Sequence, residues 1–204
     1  MSELCDLLQP FLCHPLSTAQ ADQVQTYLDL LLKWNAKINL TAIRDRDEIV
    51  QRHFGESFFA AEHAGAASAF SLIDVGSGAG FPGLPMAILA PGSQVTLIES
   101  QQKKVAFLRE VVRTLELKNV NVHLGRAEES SLKAEIVTLR AVERFGAVLP
   151  AAASLVKPHG KLALLAGNSQ ATTAYEALPQ FAWFDPISVP LSRERVLLIA
   201  KSAD

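Results

Sequence analysis

The residues best suited to chemistry are gathered in one stretch, Leu72 to Pro91, which reads LIDVGSGAGFPGLPMAILAP. An apolar run ends at Asp74, and Gly76, Gly78, Gly80 and Gly83 follow before the chain turns helical. Glycines after a strand let the backbone approach a ligand where any Cβ would collide, and the next helix N-terminus offers unpaired N–H groups to its polar atoms. Gly78, Gly80 and Gly83 satisfy G-x-G-x-x-G, a pattern that by itself does not separate dinucleotide binding from other nucleotide chemistry. Glu99 ends the next apolar run, QVTLIES, about twenty residues on, where a carboxylate is placed to accept from a ribose diol. The expected ligand is of nucleotide size.

Two details choose among nucleotides. Asp74 stands two residues before the first glycine, and D-V-G-S-G-A-G is closer to the loop of S-adenosylmethionine-dependent methyltransferases than to that of nicotinamide oxidoreductases. Further on, G-R-A-E-E puts Ala127 and Glu128 where a backbone N–H and a carboxylate can read an adenine edge without any pyrophosphate site. Methyl transfer from a sulfonium is an in-line displacement, so the protein has mainly to align the reacting atoms and exclude water. A ring nitrogen with a free lone pair needs no general base. The chain offers none of the devices for harder acceptors: T-L-R-A stands where N-P-P-Y would follow the fourth strand, and neither Cys5 nor Cys13 lies near a strand end. Arg140, at the end of that strand, is the first candidate for catalysis, orienting the cofactor or the acceptor, with a structural salt bridge as its alternative role. Asn39, Thr41, Arg44, Arg52 and His53 form a polar cluster placed to close over the pocket and grip phosphate or base edges.

The elements that must carry these residues read in two parts. LSTAQADQVQTYLDLLLKWN opens on Ser17 and Gln20, a capping-box spacing, and puts Val24, Tyr27, Leu28, Leu31 and Leu32 on one face. A second helix is expected from Asp47 into FFAAEHAG, with Ile49, Val50, His53, Phe54, Ser57 and Phe58 inward, and the Ala-rich AAEHAGAASA as a link. From Phe70, strands and helices alternate through SLIDVG, MAILAP, QVTLIES, KKVAFLREVVRTLEL, NVNVHLG, EIVTLRA and KLALLAG, a βαβ series that implies a parallel sheet. A helix over Phe145 to Val156 has Pro150 to start, kink or split it. FAWFDPISV and RVLLIAK are joined too tightly for a crossover and should pair antiparallel. The boundaries are residues 1–68 for a helical cap and 69–204 for the nucleotide-binding sheet.

The chain has 204 residues, 49% hydrophobic, enough for one sizeable core, and its net charge of −2 excludes bulk attraction as the means of holding nucleic acid. Two cysteines without a complementary histidine set predict reduced thiols and no metal site. No apolar stretch reaches membrane length, so a cytoplasmic protein, without membrane or DNA partners, is expected.

The chain resembles the bacterial GidB family of class I methyltransferases over most of its length, through LLKWNAKINLTAIRD, RHFGES, LIDVGSGAGFPGLPMAI, LIESQQKKVAFL, GRAEE and TLRAV. The W-N-x-x-I-N-L-T segment is the most specific of these. The resemblance implies an α/β fold: a Rossmann-like, S-adenosylmethionine-dependent methyltransferase sheet, mostly parallel with a C-terminal antiparallel strand, plus an N-terminal helical extension. It implies methylation of N7 of a guanine in the decoding region of 16S ribosomal RNA, on the free RNA or the small ribosomal subunit, by a monomer. Residues implied at the cofactor are Gly76, Phe81, Glu99, Ala127, Glu128 and Arg140, to which the loop itself adds Gly78, and Arg140 and Asn39 are the candidates for the reacting centre. Lys33, Lys37, Arg44, Arg52, His53 and Arg144 are the expected RNA contacts, joined by Arg46 in a local basic patch, and the outer face of the helix bearing Lys103, Lys104, Arg109 and Arg113 is also basic. Glu56 departs from the usual aspartate of its segment, and Leu139 from a small polar residue. The competing readings are a small-metabolite methyltransferase, a nicotinamide oxidoreductase, and a cofactor-sensing RNA-binding module without turnover.

Overall fold

The computed structural model describes residues 3–65, 69–142 and 145–203. Helix α1 (Glu3–Leu8) and a 3-10 turn (Gln9–Phe11) precede α2 (Thr18–Asn35). The capping box forms as its spacing predicts: Ser17 Oγ accepts from the Gln20 N–H at 3.3 Å, and Gln20 Oε1 accepts from the Ser17 N–H at 2.9 Å. Two of the open N–H groups at the helix start are thereby satisfied. Val24, Tyr27, Leu28 and Leu31 are buried as expected.

The second helical stretch differs from a single regular helix. α3 (Arg46–Ile49), capped by Asp45 Oδ1 on the Glu48 N–H at 2.8 Å, runs into a π-helical turn (Val50–Gly55) and then α4 (Glu56–Ala64), which Gly65 ends at φ +88°. The first alanines of the expected link belong to α4, where Ala60, Ala61 and Ala64 are buried; its residues 66–68 lie outside the described residues. Small side chains there let the helix lie close against its neighbours, so an alanine run reads as packing as well as linkage.

The sheet part runs β1 (Ser71–Val75), α5 (Gly83–Leu89), β2 (Gln94–Glu99), α6 (Gln102–Thr114), β3 (Val120–Leu124), β4 (Ala134–Arg140), α7 (Phe145–Ser154), β5 (Val156–Gly167), α8 (Gln170–Ala177), β6 (Ala182–Trp183), β7 (Ile187–Ser188) and β8 (Arg195–Lys201). Strand order is β3-β2-β1-β4-β5-β8-β6, with β7 also on β8. β1 to β5 are parallel, and β8 is antiparallel to β5, β6 and β7. The antiparallel expectation is therefore met, but FAWFDPISV is two short strands and not one, with Pro186, which has no N–H for a ladder, between them. α8 was not expected from its sequence, QATTAYEA, which has only Ala174 buried and so lacks an apolar stripe. Pro150 lies inside α7.

Alternation along β1 sends Leu72 to one face and Ile73 and Val75 to the other. The Leu72 face shares one buried cluster with Leu4, Tyr27, Phe54, Phe58, Leu84 and Phe107, so the N-terminal helices build a common core with the sheet. α7 and α8 cover the opposite face through Leu149, Ala152 and Ala174. Among the described residues, no helix is long and apolar enough to cross a membrane.

Candidate cofactor site

The C-terminal ends of β1 to β4 open onto a cavity of about 990 Å³, where open α/β sheets hold ligands. All seven expected cofactor residues line it: Gly76, Gly78, Phe81, Glu99, Ala127, Glu128 and Arg140. Thr41 and His53 reach it from the helical part, and Lys104 from α6. Its size is at the upper end of the ~300–1,000 Å³ typical of small-molecule sites, room for a nucleoside-sized ligand and a base together.

The loop leaves the sheet at one point, because the N–H groups of Gly76 and Ser77 both donate to the Ile98 carbonyl, at 2.9 and 3.1 Å. Gly78 and Gly80 hold φ of +57° and +93°, the left-handed region that disfavours other residues. At Gly80 a Cβ would lie 2.5 Å from the Tyr27 hydroxyl and 2.4 Å from Leu84, so this glycine serves packing. At Gly78 the nearest neighbour would be 3.8 Å away, so the space beside its Cα is open and a side chain would take up cavity volume. Glu99, 4% exposed, accepts from the Gly78 N–H at 2.9 Å and from the Gln101 N–H at 2.8 Å, fixing the loop to the start of α6. Each of its oxygens keeps capacity for another donor, as a ribose diol requires.

Asp74, the acid of the loop motif, braces the sheet beneath the loop. It is fully buried, accepts from Thr138 Oγ1 at 2.8 Å and from the Gly83 N–H at 3.3 Å, and ties β1 to β4 and to α5. Burial pushes its carboxyl up to about 6, against the opposing pull of hydrogen bonds from Thr138, Ser77 and Gly83.

A stack of three rings joins the helical part to the loop. Phe81 lies between Tyr27 (5.2 Å between centroids, 7° between planes) and His53 (4.9 Å, 20°). The buried Tyr27 hydroxyl donates to the Ala79 carbonyl, and burial raises its pKa well above the usual value. His53 Nε2 bonds the Thr41 hydroxyl at 2.7 Å, while its buried Nδ1 has no hydrogen-bond partner. Burial, then the Arg140, Arg52 and Arg195 charges, holds His53 well below its ordinary pKa, so the imidazole is neutral.

Arg140 makes the salt bridge that was its alternative role and also lines the cavity. Its guanidinium lines the cavity, donates to the carbonyls of Arg52 and His53 in the π turn, and pairs with Glu56 at 2.9 Å. Glu56, 2% exposed, also pairs with Arg195 at 2.7 Å and stands 4.0 Å from Arg52. The glutamate whose segment departs from the family pattern is thus the hub of three arginines. Burial lowers Arg140 to about 10, and Glu56 is the main influence raising it. Leu139 is fully buried in the second core, a packing role only.

The polar cluster read from the sequence is not brought together as one group. Thr41 and His53 are at the cavity, whereas Asn39 is exposed, bonds Arg44 at 3.4 Å and is not in the lining. Its neighbour Asn35 is the buried one: its side chain bonds the Leu40 and Thr41 N–H groups and the Thr41 carbonyl, which fixes the segment that carries Thr41. Arg52 pairs with Glu48 at 3.2 Å, and Arg46 with Asp47 at 3.2 Å and Gln25 at 3.1 Å. Lys33 and Lys37 lie at a second, smaller cleft. Arg144 lies outside the described residues. Sequence reasoning missed Tyr27 as a support of the loop; a tyrosine amid leucines on an inner helix face was the available signal, since a buried hydroxyl must find a partner.

A family model described as GidB, rRNA small subunit methyltransferase G, matches residues 20–190. A ribosomal RNA small subunit methyltransferase G of Exiguobacterium sp. is 40% identical over 156 residues, 74% of this chain and 66% of the relative, so the match spans just under two thirds of that protein. One from Roseiflexus sp. is 38% identical over 197 residues, 90% of this chain and 84% of the relative. Among solved structures, a ribosomal protein L11 methylase from Lactobacillus delbrueckii subsp. bulgaricus superposes with a TM-score of 0.64 at 15% identity, covering 74% of this chain and 79% of that one. At such identity the likeness speaks for the methyltransferase fold alone.

Proposed function

The chain belongs to the GidB family of small-subunit ribosomal RNA methyltransferases, and from that premise we propose that it uses S-adenosylmethionine to methylate N7 of one guanine in the decoding region of 16S ribosomal RNA. The observation that carries the reading is the glycine loop: Gly78 presents open space and an N–H pinned by Glu99, beside the Ala127–Glu128 turn that forms the far wall. These residues fit the cofactor, with Glu99 for the ribose, Ala127 and Glu128 for the adenine edge, and Arg140 for the carboxylate or the guanine O6. The bound cofactor supplies an electrophilic methyl group on a cationic sulfur.

The chain's own part is alignment. Guanine N7 needs no proton removed, so the step asks no acid–base work of the neutral His53, which braces Phe81 and Thr41 at the cavity wall. Transfer to a neutral ring nitrogen would leave the total charge in the pocket unchanged, so no counterion beyond the residues present would be required of the chain. Apolar Phe81, Val142 and Val148 in the lining exclude water from the line of attack. Asn39, exposed and outside the lining, has no role in this scheme beyond holding Arg44. The helical segment 1–68 supplies the RNA-facing surface, and the enzyme acts as a cytoplasmic monomer on the free RNA or the small subunit, with neither DNA nor membrane as partner.

The test is transfer of labelled methyl groups to small subunits from a strain lacking the gene, followed by nucleoside mass spectrometry. N7-methylguanosine at a single site is the expected product. Label on free guanosine, on adenosine or on a pyrimidine refutes the assignment, as does cofactor and subunit binding without turnover.

A further inference from the structure

A second cleft, of about 440 Å³, lies between the end of α2 and the start of α6 and is lined by Lys33, Trp34, Lys37, Ile38, Lys103, Ala106 and Glu110. Its floor is apolar. Trp34 is partly exposed there, with its inner side held by Phe107 at 5.7 Å between ring centroids, so the indole is a rigid platform and not a mobile side chain. Three ammonium groups surround it against one carboxylate, in a chain whose net charge is −2. None of the three lysines takes part in an ion pair among the described residues, and all three are exposed. The cleft and the cofactor cavity are lined by close neighbours in the chain: Lys103 lines one and Lys104 the other, and Ile38 one and Leu40 the other.

We propose that this cleft is a nucleotide subsite for single-stranded RNA, in which a base flanking the target guanine stacks on Trp34 while Lys33, Lys37 and Lys103 hold its phosphates. An aromatic face with neighbouring cations is how proteins take an unpaired nucleotide without reading its sequence. The cofactor cavity has room for one base beside a nucleoside-sized ligand, and α6 contributes to both linings, so a strand that delivers a guanine to the cavity can lay a neighbouring nucleotide in the cleft. Charge complementarity selects a polyanion, and the indole selects one with flat rings, which an acidic peptide lacks. The subsite rests on the RNA-methylating function proposed above and deepens it: residues remote from the reacting atoms select a single-stranded, accessible guanine.

The test uses the full chain with Trp183→Phe, which leaves Trp34 as the one tryptophan. A seven-nucleotide single-stranded RNA should quench Trp34 emission, and poly-glutamate of equal charge should not. Lys33→Ala, Lys37→Ala and Lys103→Ala combined should weaken that binding at least about 10-fold and flatten its salt dependence by roughly two units of slope. The same variant should lower kcat/KM for small subunits about 10-fold, through KM, while S-adenosylmethionine affinity by calorimetry stays within about twofold. Trp34→Leu should repeat the loss; as Trp34 also touches Phe107, the lysine variant is the decisive one if Trp34→Leu misfolds. Absence of RNA quenching, equal quenching by poly-glutamate, or wild-type kcat/KM in the lysine variant overturns the subsite. Wild-type protein that quenches with RNA yet methylates no subunit overturns the proposed function and leaves the cleft an RNA site.

Discussion

Replacing Glu56 with glutamine removes the one negative charge that faces three guanidinium groups. Arg140 and Arg195 approach its carboxylate at 2.9 and 2.7 Å, with side chains 5% and 21% exposed, whereas Arg52 stands 4.0 Å off and is 43% exposed. Breaking a buried ion pair by deleting one partner leaves an uncompensated charge and costs about 3–5 kcal/mol; an exposed pair is worth about 0–1 kcal/mol. Glu56→Gln should therefore lose about 3–5 kcal/mol in urea unfolding, and Arg52→Gln under about 1 kcal/mol. For a domain of this size the first loss lowers Tm by roughly 6–20 °C. Glutamine keeps the shape and one acceptor oxygen, so the loss reports charge and not a cavity. Adding Arg195→Gln to Glu56→Gln should restore part of it, since one unpaired cation is then gone. Glu56→Asp keeps the charge with a shorter reach and should fall between glutamine and wild type. A loss below about 1 kcal/mol for Glu56→Gln, or strict additivity with Arg195→Gln, would falsify the hub.

Gly78→Val puts a side chain into the open space beside Glu99, and a folded variant should show no calorimetric heat with S-adenosylmethionine; unchanged affinity rejects the placement. Tyr27→Phe leaves the Ala79 carbonyl unpaired in the core and should cost about 1–3 kcal/mol with a parallel loss of cofactor affinity; stability equal to wild type refutes the support role. Asp74 is raised from 3.8 to about 6 in the folded protein, so the folded state holds its proton longer than the unfolded chain. Its contribution to stability is present at low pH and is lost as pH rises through that window, by as much as about 3 kcal/mol relative to Asp74→Asn; parallel pH profiles for the two proteins contradict this. His53, held well below 6.5, works in the opposite sense: stability is lost as pH falls below 6.5, because only the unfolded chain takes up the proton, and His53→Gln should lack that slope.

What was legible in the sequence is what local spacing determines. Ser17 and Gln20 are three residues apart and form their cap, and the glycine loop bends where its glycines stand. That the expected cofactor residues line one cavity was legible for a related reason. A parallel sheet gathers the C-terminal ends of its strands at one edge, so locating where SLIDV, QVTLIE, VNVHL and AEIVTLR end already brings Gly76, Glu99, Ala127 and Arg140 together. The pairing of Asp74 with Thr138 follows from the same register, in which the two are Cα partners on adjacent strands. Glu56 needed more: its partner Arg195 is 139 residues away, beyond any periodicity, and the π turn that presents carbonyls to Arg140 has no sequence signature of its own. The basic residues were least legible, because a helix rotation of one position sends a lysine to a different surface. Lys103 and Lys104 are adjacent in sequence, yet one borders the Trp34 cleft and the other the cofactor cavity. Counting positive charges in the helical part thus overstated a single patch: Lys33 and Lys37 line the Trp34 cleft with Lys103, whereas the cations at the larger cavity, Lys104, Arg126 and Arg140, come from the sheet part.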